Sequence, residues 1–185
     1  MRKALILGLI AFLTSIFVVY GDIIPTLSSV TGSSPNFTWN YRANVTVDET
    51  AVKGDFFTIY DFSSIQPTIT TQPSGWTFST ALVGPTPNLV TPTDNPSLWN
   101  LTWTYTGSSP INGSAFLGIF SVVANTNQLQ AGQFAAAATR TTDGTPISNI
   151  GQVSVPVPES TSLLPLIGVC AAALLVAPRL RRARA

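Results

Sequence analysis

The chain has 185 residues, 45% hydrophobic and only 9% charged, with a formal net charge of +1, one cysteine and no histidine. The absence of histidine excludes Ser-His-Asp and Cys-His nucleophiles, histidine zinc sites and the usual neutral-pH proton shuttle. The near-zero charge hides unlike parts: six of the nine basic residues lie in the terminal segments, and the body from Asp22 to Ser154 sets Arg42, Lys53 and Arg140 against seven acidic residues, a net −4. Nucleic acid is excluded as a partner on that balance.

Residues 1–21 have the pattern of a secretory signal peptide. Arg2 and Lys3 form a basic start, Ala4 to Val19 an uncharged apolar run, and Gly21 supplies the small residue at the predicted cleavage point ahead of Asp22. The competing reading is an uncleaved N-terminal anchor, since the run is long for a signal segment.

The body, residues 22–154, reads as β throughout. Phe37 to Val47 alternates with a period of two, placing Phe37, Trp39, Tyr41, Ala43, Val45 and Val47 on one face. Asp55 to Phe62 is aromatic on both faces and predicts a central strand. Trp76 to Val83 is a further candidate. Leu98 to Thr106 alternates again, with Trp99, Leu101, Trp103 and Tyr105 on its apolar side. Ala115 to Ala124 is nearly all apolar and predicts a strand covered on both faces. Gln128 to Thr139, whose alanines (Ala135 to Ala138) also suit a helix, and Ile147 to Val155 are weaker candidates.

Gly/Pro/Asn turn signals separate these runs, at Gly32 to Pro35, Gln72 to Gly75, Gly107 to Pro110, Asn112-Gly113 and Asp143-Gly144. Gly84 to Pro96 holds four prolines and predicts a long surface loop. Such spacing predicts an all-β fold, a single antiparallel β-sandwich of jelly-roll or Ig-like type. An N-terminal signal helix and a C-terminal transmembrane helix are expected to flank it.

Little in the body points to chemistry, and it is not expected to be an enzyme or to hold a cofactor. Asp48, Glu49, Asp55 and Asp61 fall close together in sequence, but their spacing fits no calcium loop, so no metal site is assigned. Asp55 and Asp61 could flank a cleft as a glycosidase pair, but a body with only seven carboxylates and no sign of a groove argues against it. Trp76, Trp99 and Trp103 are candidates for stacking on sugars. Trp99 and Trp103 share a strand's apolar face and are expected in the core, so Trp76, just after a turn, is the candidate platform of a carbohydrate-binding alternative. Asn36, Asn44, Asn100 and Asn112 head Asn-x-Ser/Thr sequons.

The last 31 residues, Val155 to Ala185, have three parts. A Pro-rich motif segment (155–162) precedes an uncharged run of 16 residues, Leu163 to Pro178, and a basic end (179–185) carrying Arg179, Arg181, Arg182 and Arg184. As a helix the run spans roughly 24 Å, short of a hydrocarbon core of about 30 Å, a gap that thinning and snorkelling arginines close. The arginines act as a basic stop signal, leaving the tail inside and the body outside. A buried helix of a soluble domain is the competing reading, disfavoured because the run lacks a polar face. Cys170, inside the run, reads as a small apolar residue, with lipidation as the alternative. The arginines also argue against a glycosylphosphatidylinositol signal, which ends in its apolar run, and no LPxTG-type sortase motif precedes the run.

This order resembles the PEP-CTERM sorting domain of Gram-negative bacteria. Val157-Pro158-Glu159 matches the first three positions of its Val-Pro-Glu-Pro motif, with Ser160 in place of the final proline. Val155-Pro156-Val157-Pro158 is a second register, which lacks the glutamate. The runs GDFFTIYDF (54–62), SGWTF (74–78) and LTWTYTG (101–107) are also similar to a group of small exported proteins bearing such tails. The resemblance implies export, transient anchoring in the inner membrane with the body in the periplasm, processing by an exosortase-type protease, and release to the cell surface or extracellular matrix. Exopolysaccharide is the candidate partner there.

Overall fold

The computed structural model describes residues 22–158, with the side chains of residues 67–69 left out. Among the described residues there are eleven strands and no helix. They are β1 (Ile23–Ser33), β2 (Asn36–Val45), β3 (Glu49–Ala51), β4 (Phe56–Phe62), β5 (Ile65–Thr71), β6 (Trp76–Ala81), β7 (Trp99–Tyr105), β8 (Ile111–Asn112), β9 (Ala115–Ala124), β10 (Leu129–Arg140) and β11 (Pro146–Pro156). A four-stranded sheet has the order β1-β2-β9-β5; a larger one runs β6-β7-β4-β10-β3-β8, with β11 paired along β10. Every strand pairing is antiparallel.

The two sheets stack as a β-sandwich whose core the aromatic alternation builds. Trp39, Tyr41, Ala43 and Val45 of β2 are buried as their period of two predicts, whereas Val47 lies past the strand and is exposed. β4 is central, between β7 and β10, and supplies Phe57, Ile59 and Phe62. Phe120 of β9 inserts from the smaller sheet against Phe57, Trp76 and Trp103, with centroids 5.0–5.7 Å away. Edge-on geometry at these distances suits the ring quadrupoles. The Tyr41 hydroxyl donates across the sandwich to the Ser154 carbonyl at 2.8 Å, and Trp39 Nε1 to the Thr126 carbonyl at 3.0 Å.

Several elements differ from the sequence pattern. The alanine run lies in β10, a strand flanked by β11 and β4, where Ala135, Ala136 and Ala138 are fully buried. There the small side chains fit between covering layers. Gly151, opposite Phe134, leaves room for that ring, since a Cβ would come within 2.5 Å of it. β9 is covered on both faces only in its second half. A bulge at Leu117, beside Gly118 at φ 126°, turns Leu117 inward and leaves Phe116 and Ile119 exposed. Four strands, β1, β3, β5 and β8, lie outside the predicted segments, and β3 and β8 are only three and two residues long. β1 contains Pro25 and β5 contains Pro67, and these are the two edges of the smaller sheet, where a residue without an N–H is tolerated.

Candidate functional site

The polar groups of the body gather at two places. The first is built on a bulge in β4. Ile59 pairs with Leu101, but Phe62, not Asp61, faces Trp99, so β4 holds one residue more than β7. Asp61 takes up the excess at φ 56°, a conformation that aspartate tolerates better than most residues. Its freed N–H donates to Asn100 Oδ1 at 3.0 Å. Asn100 is fully buried, and its Nδ2 donates to Asp94 Oδ1 at 2.9 Å.

The Pro-rich segment is the surface loop predicted, mostly exposed, and it is tied to the larger sheet by side chains. Asp94 Oδ2 accepts the Gly84 N–H at 2.9 Å, Asp61 Oδ1 the Asn95 N–H at 2.8 Å, and the Pro85 carbonyl the Tyr60 hydroxyl at 2.5 Å. Thr93 N–H reaches Gln133 on β10. Gly84 lies so close to the sheet that a Cβ would meet the Tyr60 ring at 2.7 Å and Asn100 at 3.1 Å. Burial raises the Asp61 carboxyl above its ordinary range, opposed by the Asn95 N–H and reinforced by the charge of Asp94. Burial and Asp94 push the Tyr60 phenol up to about 12. The Tyr60 phenol therefore stays protonated near neutrality and works as a fixed donor.

Beside this cluster stands Trp99, 42% exposed. It was expected in the core with Trp103. As the first residue of β7, opposite Phe62 where the bulge ends the ladder, it lies beyond the reach of the opposing sheet's packing. Trp76, the expected platform, is 5% exposed and packed on Phe57, Tyr105 and Phe120.

The second cluster lies where β1 begins. Asp22 is fully buried, its Oδ1 accepting the Ile23 N–H at 2.7 Å, while Oδ2 has no hydrogen-bond partner. Burial pushes its carboxyl up to about 8, with the charges of Asp55 and Glu49 adding to the rise and the backbone amides of Ile23 and Asn149 opposing it. Glu49, also buried, accepts from the Thr46 hydroxyl. Asp55 accepts from Val52 N–H at 2.8 Å and lies within 3.3 Å of the Thr139 hydroxyl. Burial raises its carboxyl too.

The structure thus regroups the carboxylates. Asp55 and Asp61 sit at opposite ends of β4, six residues and about 20 Å apart in an extended strand, too far for a glycosidase pair. Asp55 and Glu49 instead join Asp22, and Asp61 joins Asp94. No sequence spacing announces either partner. Among the described residues no group of three acidic, histidine or cysteine side chains is arranged to hold a metal. Asn100 is closed to a glycan by its burial and by its bond to Asp94, whereas Asn36 and Asn112 are exposed.

Of the tail motif, Val157 and Pro158 are described: β11 ends at Pro156, and the Val157 N–H still donates to the Gln128 carbonyl at 2.9 Å. Gly21, Glu159, Ser160, the run from Leu163 to Pro178 with Cys170, and Arg179, Arg181, Arg182 and Arg184 lie outside the described residues, as do both expected flanking helices. Among the described residues no helix is long and apolar enough to cross a membrane. A search against protein-family models matches none, and no similar chain is found among curated proteins.

Proposed function

We propose that this chain is an exported, non-enzymatic protein of the cell surface or extracellular matrix, sorted through a PEP-CTERM-like tail. In this reading residues 1–21 form a helical leader cut after Gly21. The jelly-roll or Ig-like body crosses to the periplasm, and a helix over 163–178 holds it at the inner membrane until an exosortase-type protease acts at Val157-Pro158-Glu159-Ser160. The observation that carries it is the order of the last 31 residues: motif, uncharged run, arginine block. The point at which the chain leaves the sheet supports the chosen register. Val155 is fully buried and Pro156 pairs with Leu129, so a motif read from Val155 would lie half inside a strand. A motif read from Val157 begins at the first residue past it.

Intact mass of the protein recovered from its native host tests the proposal. The expected mass lacks residues 1–21 and everything after about Glu159. Retention of the four arginines would replace sorting by a permanent single-pass anchor.

A second reading, an extracellular carbohydrate-binding sandwich, is favoured by one observation, the indole of Trp99, exposed at the start of β7. It moves the platform from Trp76 to Trp99. Binding on a glycan array that is lost in Trp99→Ala supports it; an array with no signal for the wild-type body removes it.

A further inference from the structure

The pocket at the start of β1 is short of a donor and of a positive charge. Asp22 Oδ2 and Asn149 Oδ1 are both buried acceptors without a hydrogen bond, and the Asn149 backbone amide lies close enough to act on the Asp22 carboxyl. Glu49 and Asp55 add two further carboxylates whose charges reach Asp22. The three cations of the body are engaged or turned elsewhere. Arg42 lies over the Phe116 ring at 4.7 Å, Arg140 pairs with Asp143 at 3.2 Å, and Lys53 is exposed. Buried carboxylates without a counter-charge are costly. What fits such a pocket is a compact cation with several N–H donors.

The chain carries such a group in latent form. If the leader is cut after Gly21, Asp22 becomes the first residue and its backbone nitrogen an ammonium with three donors. That nitrogen is bonded to the same Cα as the buried carboxyl, and the residue is fixed in place by its carbonyl and by Oδ1. The Asp22 carbonyl accepts the Thr46 N–H at 3.2 Å, and Thr46 in turn donates to Glu49. We propose that the α-ammonium released at Asp22 by leader removal is the ligand of this pocket, where it takes up the unpartnered Asp22 Oδ2 and Asn149 Oδ1, within the field of the Glu49 and Asp55 carboxylates, and fastens β1 to the sandwich. The proposal rests on the export reading for the cut itself. Before the cut, the peptide nitrogen of Asp22 is neutral and the carboxyl must hold a proton instead. Leader removal thus becomes a stabilising step, and the body gains its final stability only after export.

Composition makes the test clean, because Lys53 is the only lysine after residue 21. The chain from Asp22 to Ala185, with a free amine at Asp22, is compared in detergent with the same chain retaining Gly21. Both are treated with an amine-acylating ester at pH 8 and read by mass spectrometry. The α-amine of the Asp22 chain should react about fivefold more slowly than that of the Gly21 chain, since a one-unit rise from an ordinary value near 8 lowers the free-base fraction at pH 8 from about a half to about a tenth. Lys53 should react equally in both. The Asp22 chain should also melt about 5 °C higher at pH 7, a difference that Asp22→Asn reduces. Equal acylation of the two α-amines overturns the proposal. So does a higher melting point in the Gly21 chain, or a rise in the Asp22 chain's melting point on adding calcium, which would give the pocket to a metal. A different first residue on the protein from its host would sink the assigned cut, leaving the two prepared chains to judge the pocket.

Discussion

At the scale of single residues, the tryptophans divide by burial rather than by sequence pattern. Trp76 and Trp103 are packed in the aromatic cluster around Phe120, and Trp39 lies edge-on to Phe62 at 5.8 Å. Trp76→Ala should therefore lose about 3–5 kcal/mol of stability in chemical denaturation, as large-to-small changes in cores do. Trp99→Ala, at a half-exposed rim position, should stay within about 1 kcal/mol, which is what makes it a usable probe of binding. Asp22 supplies a pH prediction for the chain that retains residues before it. Its folded pKa of about 8 is raised above the model-peptide value of 3.8, so the folded state holds the proton more tightly than the unfolded one. Stability is then greatest below about pH 4 as far as this group is concerned, and falls as pH rises toward 8. Asp22→Asn, which cannot ionise and brings an N–H for the pocket, should remove that decline and be more stable by about 1–3 kcal/mol at pH 8. Denaturant midpoints measured from pH 5 to 8 check both the sign and the window. Neither property was legible in the sequence. Asp22 reads there as the residue after a cleavage point, because its burial depends on Thr46, Glu49 and Asn149, which lie 24 to 127 positions away along the chain.

At the scale of elements, the Pro-rich segment is the surface loop predicted, with ties to the sheet that its prolines do not announce. Its prolines mark it as loop, since they cannot join a ladder. They say nothing of the Asp94 side chain, which joins Gly84 N–H to Asn100 Nδ2 and so closes the loop on itself and on β7. Asp94→Ala should release it: limited proteolysis between 84 and 96 should speed up by at least about tenfold, for a loss of about 1.4 kcal/mol in closure, while global stability falls less than in Trp76→Ala. Strands with a clean period of two, β2 and β7, and the aromatic β4 were legible because half-burial imposes that period. β1 and β5 were not, since Pro25, Pro67 and many Ser and Thr residues blur the alternation at a sheet edge. The bulges at Asp61 and Leu117 were equally invisible. A bulge is a mismatch between two strands, and neither strand alone contains it.

At the scale of the whole molecule, the described body is closed by its own core, and the proposed function rests on segments that lie on either side of it. On the export reading, cutting the chain after Ser162 should move the body from the membrane fraction to the soluble fraction without altering its melting point, as fractionation and calorimetry would show. A body that stays with the membrane after this cut would place its attachment in the sandwich instead. On the same reading the orientation follows from where the tail's arginines fall in the sequence, not from the fold.

What the amino-acid sequence determined by itself was therefore local or compositional. Period-two alternation dictates strands, turn residues separate them, the lack of histidine excludes whole classes of chemistry, and the order of motif, apolar run and arginines sets the expectation of a sorted, exported chain. The tertiary structure alone decided which side chains meet. It brought Asp22 to Glu49 and Asp55, brought Asp94 to Asn100 beside Asp61, buried Trp76 and left Trp99 at the rim. The reason is physical. Burial and pairing are set by strand order and register, which depend on contacts between residues far apart in the chain, and one extra residue in β4 was enough to change them.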